Sequence, residues 1–455
     1  MKKNANNKRP LRILISGLLV TTLLAEGLFA NECFSDSFTS DTYEINESIS
    51  DTQYQSVIET ISENIQHQSA TIQESSTGAD SPSDNPNAGN AKQMLNIKGK
   101  KINRYAYFKK TATVYSVYNK PIKKIKKGTS CTQIKKLKNG LSMIQISHAV
   151  YFIKTSQLTY NCPLRKYVNT SDKIYSYGDL IKDISSLCNS YRDILSYDIV
   201  GKSADNRNIY SLTIGNPYAD KTLFIESTIH AREYTNTQVL MKIIEDICRN
   251  YGNKKYYGKY LSDIFREVKL VVMPMVNPDG VSICQYGANS VRDSKLRKKV
   301  LKVSKGKYHL WKANARCIDL NRNFAEGFGY KSTKKPAASE YAGKRALSEP
   351  EVIAETNTIL SLNPNAVICF HEAGQVLYYR YNSKLLSVVK KHTGYLPIQE
   401  DEPEYGSASD FLDRRNITNC TIENGISTAP LPHLEFNHIY QKNKYLLIEA
   451  AKIYM

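Results

Sequence analysis

The sequence predicts an α/β fold with a mixed central sheet covered by helices on both faces, preceded by a small all-β barrel. Two observations carry this expectation. From Tyr175 onward, segments with apolar residues at helical spacing alternate with short apolar runs, the pattern of a sheet layered between helices. Between residues 100 and 160 the runs are short, alternating and divided by turn residues, as in a small barrel. The charge of the 455-residue chain, +19 overall, is segregated into blocks, which report on partners and solvation rather than on fold.

The first block, residues 1–30, has a basic head (Lys2, Lys3, Lys8, Arg9, Arg12) followed by an apolar run from Ile13 to Ala25. That is the layout of an export signal, and the run is short for a membrane span, which needs about 20 apolar residues. The expected location is therefore secreted or wall-associated, with membrane anchoring if the signal stays uncleaved. Residues 31–95 carry eleven acids and one lysine and are rich in Ser, Thr, Asn and Gln. Such a segment buries too little apolar surface to offset its ordering entropy and reads as a disordered acidic spacer. The nine cysteines are scattered, with no Cys-x-x-Cys and an odd total, so no obligatory disulfide is expected. A Cys131–Cys162 bridge is the one alternative left open.

Residues 96–166 form the barrel candidate. Its runs include Thr113–Val117, Met143–Ile146 and Ala149–Ile153, with turns at Lys127-Gly128-Thr129 and Asn139-Gly140. The order of strands, basic loop and turns resembles a bacterial SH3-type domain, though the Trp usual there is lacking. The region holds seventeen Lys or Arg and no Asp or Glu. A surface so charged suits polyanions. For an exported chain these would be anionic cell-wall polymers rather than nucleic acid, and the protein is expected to be a monomer.

Residues 167–455 carry the chemistry. Helices are expected around Leu180–Tyr191 and Val239–Ile247, and over one stripe between Phe436 and Met455; strands are expected at Lys221–Ile229, Lys269–Met275 and Ala366–Phe370. Ser348-Glu349-Pro350-Glu351 has the form of a capping box opening a helix. The strand at Lys221–Ile229 runs into His230-Ala231-Arg232-Glu233. A His and a Glu three apart at a strand-to-helix junction can reach one metal ion. His371 follows another apolar strand, and functional residues gather at the carboxyl ends of such strands. Two imidazoles, a carboxylate and an open position make the ligand set of a catalytic zinc.

These motifs, with Val276-Asn277-Pro278-Asp279-Gly280, Asp319-Leu320-Asn321-Arg322-Asn323-Phe324 and Thr421-Ile422-Glu423 in the same order, resemble the zinc carboxypeptidase (funnelin) family over about residues 170–455. The resemblance implies one Zn2+ per chain held by His230, Glu233 and His371, with Glu423 as the general base that activates the attacking water. It implies a carboxylate grip by Asn321 and Arg322, with Arg232 in substrate binding. A cation must steady the oxyanion. The family's usual position holds Lys312, and Arg316 is favoured here over Lys312 and Arg232. Asp413 stands near the place of the family's substrate-closing Tyr, and Tyr405 is nearby but out of register.

Within the family, Trp311–Arg316, Phe370–Tyr379 and Glu423–Pro432 resemble bacterial γ-D-glutamyl-diamino-acid peptidases. The expected activity is therefore hydrolysis of peptidoglycan stem peptides at the γ-D-glutamyl-diamino acid bond. The alternative is a secreted metallocarboxypeptidase that removes C-terminal residues from ordinary peptides. A non-catalytic wall-binding protein is the third reading, which the complete His230, Glu233, His371 and Glu423 set opposes.

Overall fold

The structure is a computed structural model that describes residues 97–455 apart from 147–148, 172–173 and 402. The expected export signal and acidic spacer, and Cys33 with them, lie outside the described residues.

The first region is all-β. Its strands are β1 (Gly99–Phe108), β2 (Ala112–Tyr115), β3 (Pro121–Ile125), β4 (Ser130–Leu137), β5 (Leu141–Ile146), β6 (Ala149–Lys154) and β7 (Leu158–Thr159). They pair antiparallel in the order β3-β2-β6-β5-β4-β1-β7. The expected turns form at Gly128 (φ +84°) and Gly140 (φ +81°), where the backbone enters the left-handed region that glycine tolerates. The stretch read as a basic loop before Gly128 contains a strand, β3. It lies at an edge with all but its last residue exposed, where lysines and a leading proline are tolerated.

The second region is built on an eight-stranded mixed sheet. Its strands are β8 (Leu195–Lys202), β9 (Asn208–Ile214), β10 (Lys221–Ser227), β13 (Val268–Met273), β14 (Ala366–Glu372), β15 (Val376–Tyr379), β16 (Leu396–Gln399) and β17 (Thr418–Asn424); β11 (Lys255–Tyr256) and β12 (Lys259–Tyr260) form a separate hairpin. The order is β16-β15-β17-β14-β10-β13-β9-β8. The central four strands, β13, β10, β14 and β17, are mutually parallel, and antiparallel neighbours flank them.

Ten helices appear among the described residues: α1 (Tyr177–Ser190), α2 (Thr235–Asn250), α3 (Leu261–Glu267), α4 (Pro278–Tyr286), α5 (Ser294–Ser304), α6 (Pro350–Leu362), α7 (Lys384–Thr393), α8 (Ala408–Asp413), α9 (Phe436–Asn443) and α10 (Leu446–Lys452). Alternate residues of β10 divide between the two faces of the sheet. Leu223 and Ile225 pack with Leu180, Val239, Leu240 and Leu447 from α1, α2 and α10. Phe224 packs with Val352, Ile359, Phe411 and Leu412 from α6 and α8. Each fully buried side chain of this size contributes about 1.5–3 kcal/mol.

Two local expectations are corrected. The C-terminal stripe is two helices, α9 and α10, broken at Lys444-Tyr445. Ser348 is not an N-cap: α6 has Glu349 at that position, with no side-chain cap. The Ser348 hydroxyl instead donates to Glu349 Oε1 and accepts from Asn323. Pro350 does open the helix, where its missing N–H costs nothing.

Residues 97–455 belong to one compact unit. Tyr105 and Tyr107 of β1 join the same apolar cluster as α2. Tyr107 donates to Cys248 O at 2.8 Å and Arg104 Nε to Gly252 O at 2.7 Å. Gly252 is required by proximity, since a Cβ there would stand 2.1 Å from Tyr105 O. This seam lies at the C-terminal end of α2. The eight described cysteines are free thiols, and no helix among the described residues is long and apolar enough to cross a membrane.

Candidate active site

The site forms where β10 and β14 end, at the opposite end of α2 from the seam. β10 stops at Ser227, and Thr228 takes φ +59°, a strained conformation for a β-branched residue. Its hydroxyl holds the turn by bonding Glu233 O and Thr237 Oγ1. The turn aims His230 and Glu233 at one point. His371 lies within β14, one position beyond the expected strand end, and reaches the same point from the neighbouring strand.

His230 Nδ1 is 3.0 Å from Glu233 Oε1, His371 Nδ1 is 3.1 Å from Glu233 Oε2, and the two Nδ1 atoms are 3.2 Å apart. All three ligand atoms fall within 4.8 Å of one another, and the residues are buried. Two nitrogens and a carboxylate converging with a position left open fit one zinc ion. Burial alone would raise the Glu233 carboxyl, but the two histidines hold it well below the usual range. Burial opposes protonation of His371, yet Glu233 lifts its imidazole to about 9.

Each histidine turns its far nitrogen to a buried carboxylate. Asp319 Oδ1 lies 3.4 Å from His230 Nε2, an electrostatic contact rather than a well-formed hydrogen bond. Glu226 Oε1 lies 3.8 Å from His371 Nε2. A carboxylate within hydrogen-bond reach orients the ring and raises its basicity toward a metal; Asp319 comes nearer to this than Glu226, whose carboxyl is pushed up by burial. Burial would raise Asp319, but His230 and then Arg322 and Lys312 hold it low. Asp319 is itself fixed by the N–H groups of Asn321 and Glu340.

The remaining motifs are scaffolding for this point. Asn277 caps α4 and donates through Nδ2 to Ile229 O and Lys312 O, tying the metal loop to the Trp311–Arg316 segment. Gly280 allows the close fit, because a Cβ there would stand 2.4 Å from Ala313 O. Asp279 accepts from Ser203, Arg207 and the Asp205 N–H. Glu351 and Glu349 hold the Asn314 amide.

Glu423 pairs in register with His371 across the parallel β14–β17 ladder, so the two side chains share a face of the sheet. Burial pushes its carboxyl up, with His371 pulling down and Glu233 pushing up further. Lys312 reaches the centre, with Nζ 3.6 Å from Glu233 Oε1. The structure does not bring Arg316 there: its guanidinium meets Ser348 O at 3.3 Å and Glu349 Oε2 at 3.7 Å. Arg232 is half-buried next to Glu233, and its Nε has no partner among the described residues.

Asn321 and Arg322 lie on the short 3-10 turn Leu320–Arg322, directly after Asp319. Asn321 Oδ1 accepts from the Ala408 N–H. Arg322 holds Glu340 Oε2 at 2.9 Å and stacks over Tyr405. Tyr405, out of register in sequence, is thus a neighbour of Arg322 in space, while Asp413 pairs with Arg380. Sequence reasoning assigned no role to Asp319, Glu226 or the amide relay in which Asn236 donates to His371 O and accepts from Asn424. Asp319 opens the Asp319–Phe324 motif, which is the signal that could have found it. Glu226 had a weaker signal, as an acid within an otherwise apolar strand.

The buried cluster and its backing carboxylates define a zinc-dependent hydrolase site. The family pattern for zinc carboxypeptidases matches residues 180–420, more than half the chain, and the chain belongs to that family. It is a zinc metallopeptidase with one zinc site at His230, Glu233 and His371. The chain is 27% identical over 281 residues to γ-D-glutamyl-L-diamino acid endopeptidase 1 of Lysinibacillus sphaericus, covering 59% of this chain and 70% of that protein. It is 30% identical over 225 residues to human mast cell carboxypeptidase A, covering 48% of each. Among solved structures, thrombin-activatable fibrinolysis inhibitor aligns with a TM-score of 0.51 at 18% identity, covering 62% of this chain and 74% of that one, a likeness of fold.

Proposed function

We propose that this metallopeptidase is a carboxypeptidase that releases C-terminal residues from ordinary peptides. The observation that carries the reading is the 3-10 turn linking Asp319, which backs His230, to Asn321 and Arg322. It fixes a guanidinium fork relative to the metal, and such a fork binds a carboxylate through two hydrogen bonds. Glu340, an internal carboxylate with its side chain 40% exposed, already occupies this fork and can give way to a substrate. The carboxypeptidase A relative supports the same order of preference.

When bound, zinc supplies Lewis-acid polarisation of the scissile carbonyl and acidifies water. Glu423 accepts the proton of the attacking water and returns it to the leaving amine. Lys312 stabilises the charge that develops on the carbonyl oxygen, in place of Arg316. Arg232 and Arg322 hold the substrate.

One observation favours a second reading, hydrolysis of peptidoglycan stem peptides: the alignment with the Lysinibacillus endopeptidase over 70% of its length. The export-signal-like N-terminus and the basic region, read as an SH3-type module, agree with it and with an extracellular location. Incubating the zinc-loaded chain with free and C-terminally amidated peptides, and with γ-D-glutamyl stem peptides, separates the two by mass spectrometry. Release of C-terminal residues that amidation abolishes is the expected result. Cleavage of stem peptides alone hands the assignment to the second reading.

A further inference from the structure

We propose that the outward face of the β1–β4 ladder is a binding site for a linear polyanion of the non-nucleotide phosphodiester type. Lys98, Lys100, Lys135, Lys136 and Lys138 line an open cleft of about 770 Å3, with Gly99 and Leu137 between them. The register explains why these cations meet. Lys100 stands opposite Lys136, and Gly99 opposite Leu137. The ladder continues to Lys98, whose carbonyl accepts from Lys138 N at 3.0 Å.

Residues two apart on a strand share a face, and so do directly opposed residues. Lys98, Lys100, Lys136 and Lys138 therefore form two like-charge pairs side by side. Leu137, one position out of phase, is buried in the β-region's core, so the four lysines face away from it. Directly opposed like charges destabilise a sheet. None of the five lysines has an ion-pair partner among the described residues, and residues 96–166 contain no acid to supply one. A bound polyanion would relieve this repulsion more fully than the solvent ions that screen exposed lysines.

The spacing describes that charge. Alternate lysines recur roughly every 6.7 Å along each strand, and the two rows lie about 5 Å apart. A linear ligand with a single negative charge per repeat fits between them. Lysine without arginine holds an anion as a point charge, the way lysine commonly binds phosphate. No aromatic ring lines the cleft, so nothing there stacks a base, as single-stranded nucleic acid binding requires. The site also lies apart from the seam with the second region. The residues of β1 that dock on α2, Arg104 to Tyr107, lie roughly 20 Å along the strand from Lys98 and Lys100.

The test uses the full chain with zinc and fluorescent poly(glycerol phosphate), followed by anisotropy between 50 and 200 mM salt, with single-stranded DNA of equal charge in parallel. The wild type is expected to bind the polymer more tightly than the DNA. The variant with Lys98, Lys100, Lys136 and Lys138 all changed to Gln should bind it roughly tenfold or more weakly, with the slope of log Kd against log salt flatter by about 3. Its hydrolysis of a small soluble peptide should match the wild type, since these lysines touch nothing in the catalytic half. Should that variant fail to fold, the Lys98→Gln/Lys100→Gln pair carries the same test at about half the slope change. An unchanged Kd overturns the site. DNA binding that is tighter than polymer binding and depends on the same lysines overturns the ligand class.

Discussion

The two ends of α2 use charge in opposite ways. At its N-terminal end the ionisable groups are buried or, for Lys312, half-buried, and set against one another: His230 with Glu233 and Asp319, His371 with Glu233 and Glu226, Lys312 with Glu233. At its other end it supports a β-region whose lysines are exposed and opposed like to like. In the first, position is everything and net charge is incidental. In the second, the excess of charge is the property, and no single lysine is irreplaceable. Substitutions should therefore act steeply and locally at one end and in small increments at the other.

The largest effect tests whether the two ends are separate. Removing zinc with a chelator should abolish hydrolysis, one equivalent of zinc per chain should restore it, and polymer binding should stay unchanged throughout. Elemental analysis and the two assays read this directly. Loss of polymer binding on chelation would tie the ends together and break the contrast. Glu423→Gln comes next: kcat should fall by about 10²–10⁴-fold with zinc content intact, and a loss smaller than tenfold removes Glu423 as the base.

A paired comparison then sharpens the claim that position decides. Lys312→Met should cost about 10²-fold in kcat/KM, while Arg316→Met, further from the centre, should cost little; the reverse order restores Arg316. Stability should depend on pH through Glu351. Burial, with Asp279 adding, pushes its carboxyl to about 8. The folded state then binds a proton more tightly than the unfolded chain, so this group's contribution is present at low pH and is lost as pH rises from about 4.5 through 8. Glu351→Gln should flatten the fall in Tm over that window, and a parallel fall assigns the slope elsewhere. The smallest effect belongs to the lysine face. Lys100→Gln should raise stability by about 0.5 kcal/mol by removing one opposed pair, and a decrease in urea unfolding would contradict the repulsion.

The same contrast governed what the sequence disclosed. Motifs such as His230-Ala231-Arg232-Glu233 and Asp319–Phe324 were legible because zinc chemistry restricts residue type and spacing. The helices and parallel strands of the central sheet were legible because burial imposes a period. Exposed elements were harder to read. β8 and β3 are largely exposed, and the first half of β1, Gly99-Lys100-Lys101-Ile102-Asn103, has no apolar alternation. The preference for Arg316 over Lys312 had no periodicity to rest on, because the two sit four residues apart on an irregular segment. Tertiary contacts place the two side chains: Asn277 clamps Lys312 O, while Ser348 O and Glu349 engage the Arg316 guanidinium. Ser348 missed its cap because tertiary partners claimed its hydroxyl.

The contact of Gly252 with Tyr105 also bears on how the chain can be shortened. A fragment beginning near Tyr167 would leave the end of α2 and the Tyr251 ring bare of the two tyrosines that cover them. Such a fragment should be sticky and poorly soluble, even though it keeps every metal ligand. A single proteolytic nick between β7 and α1 should release neither piece.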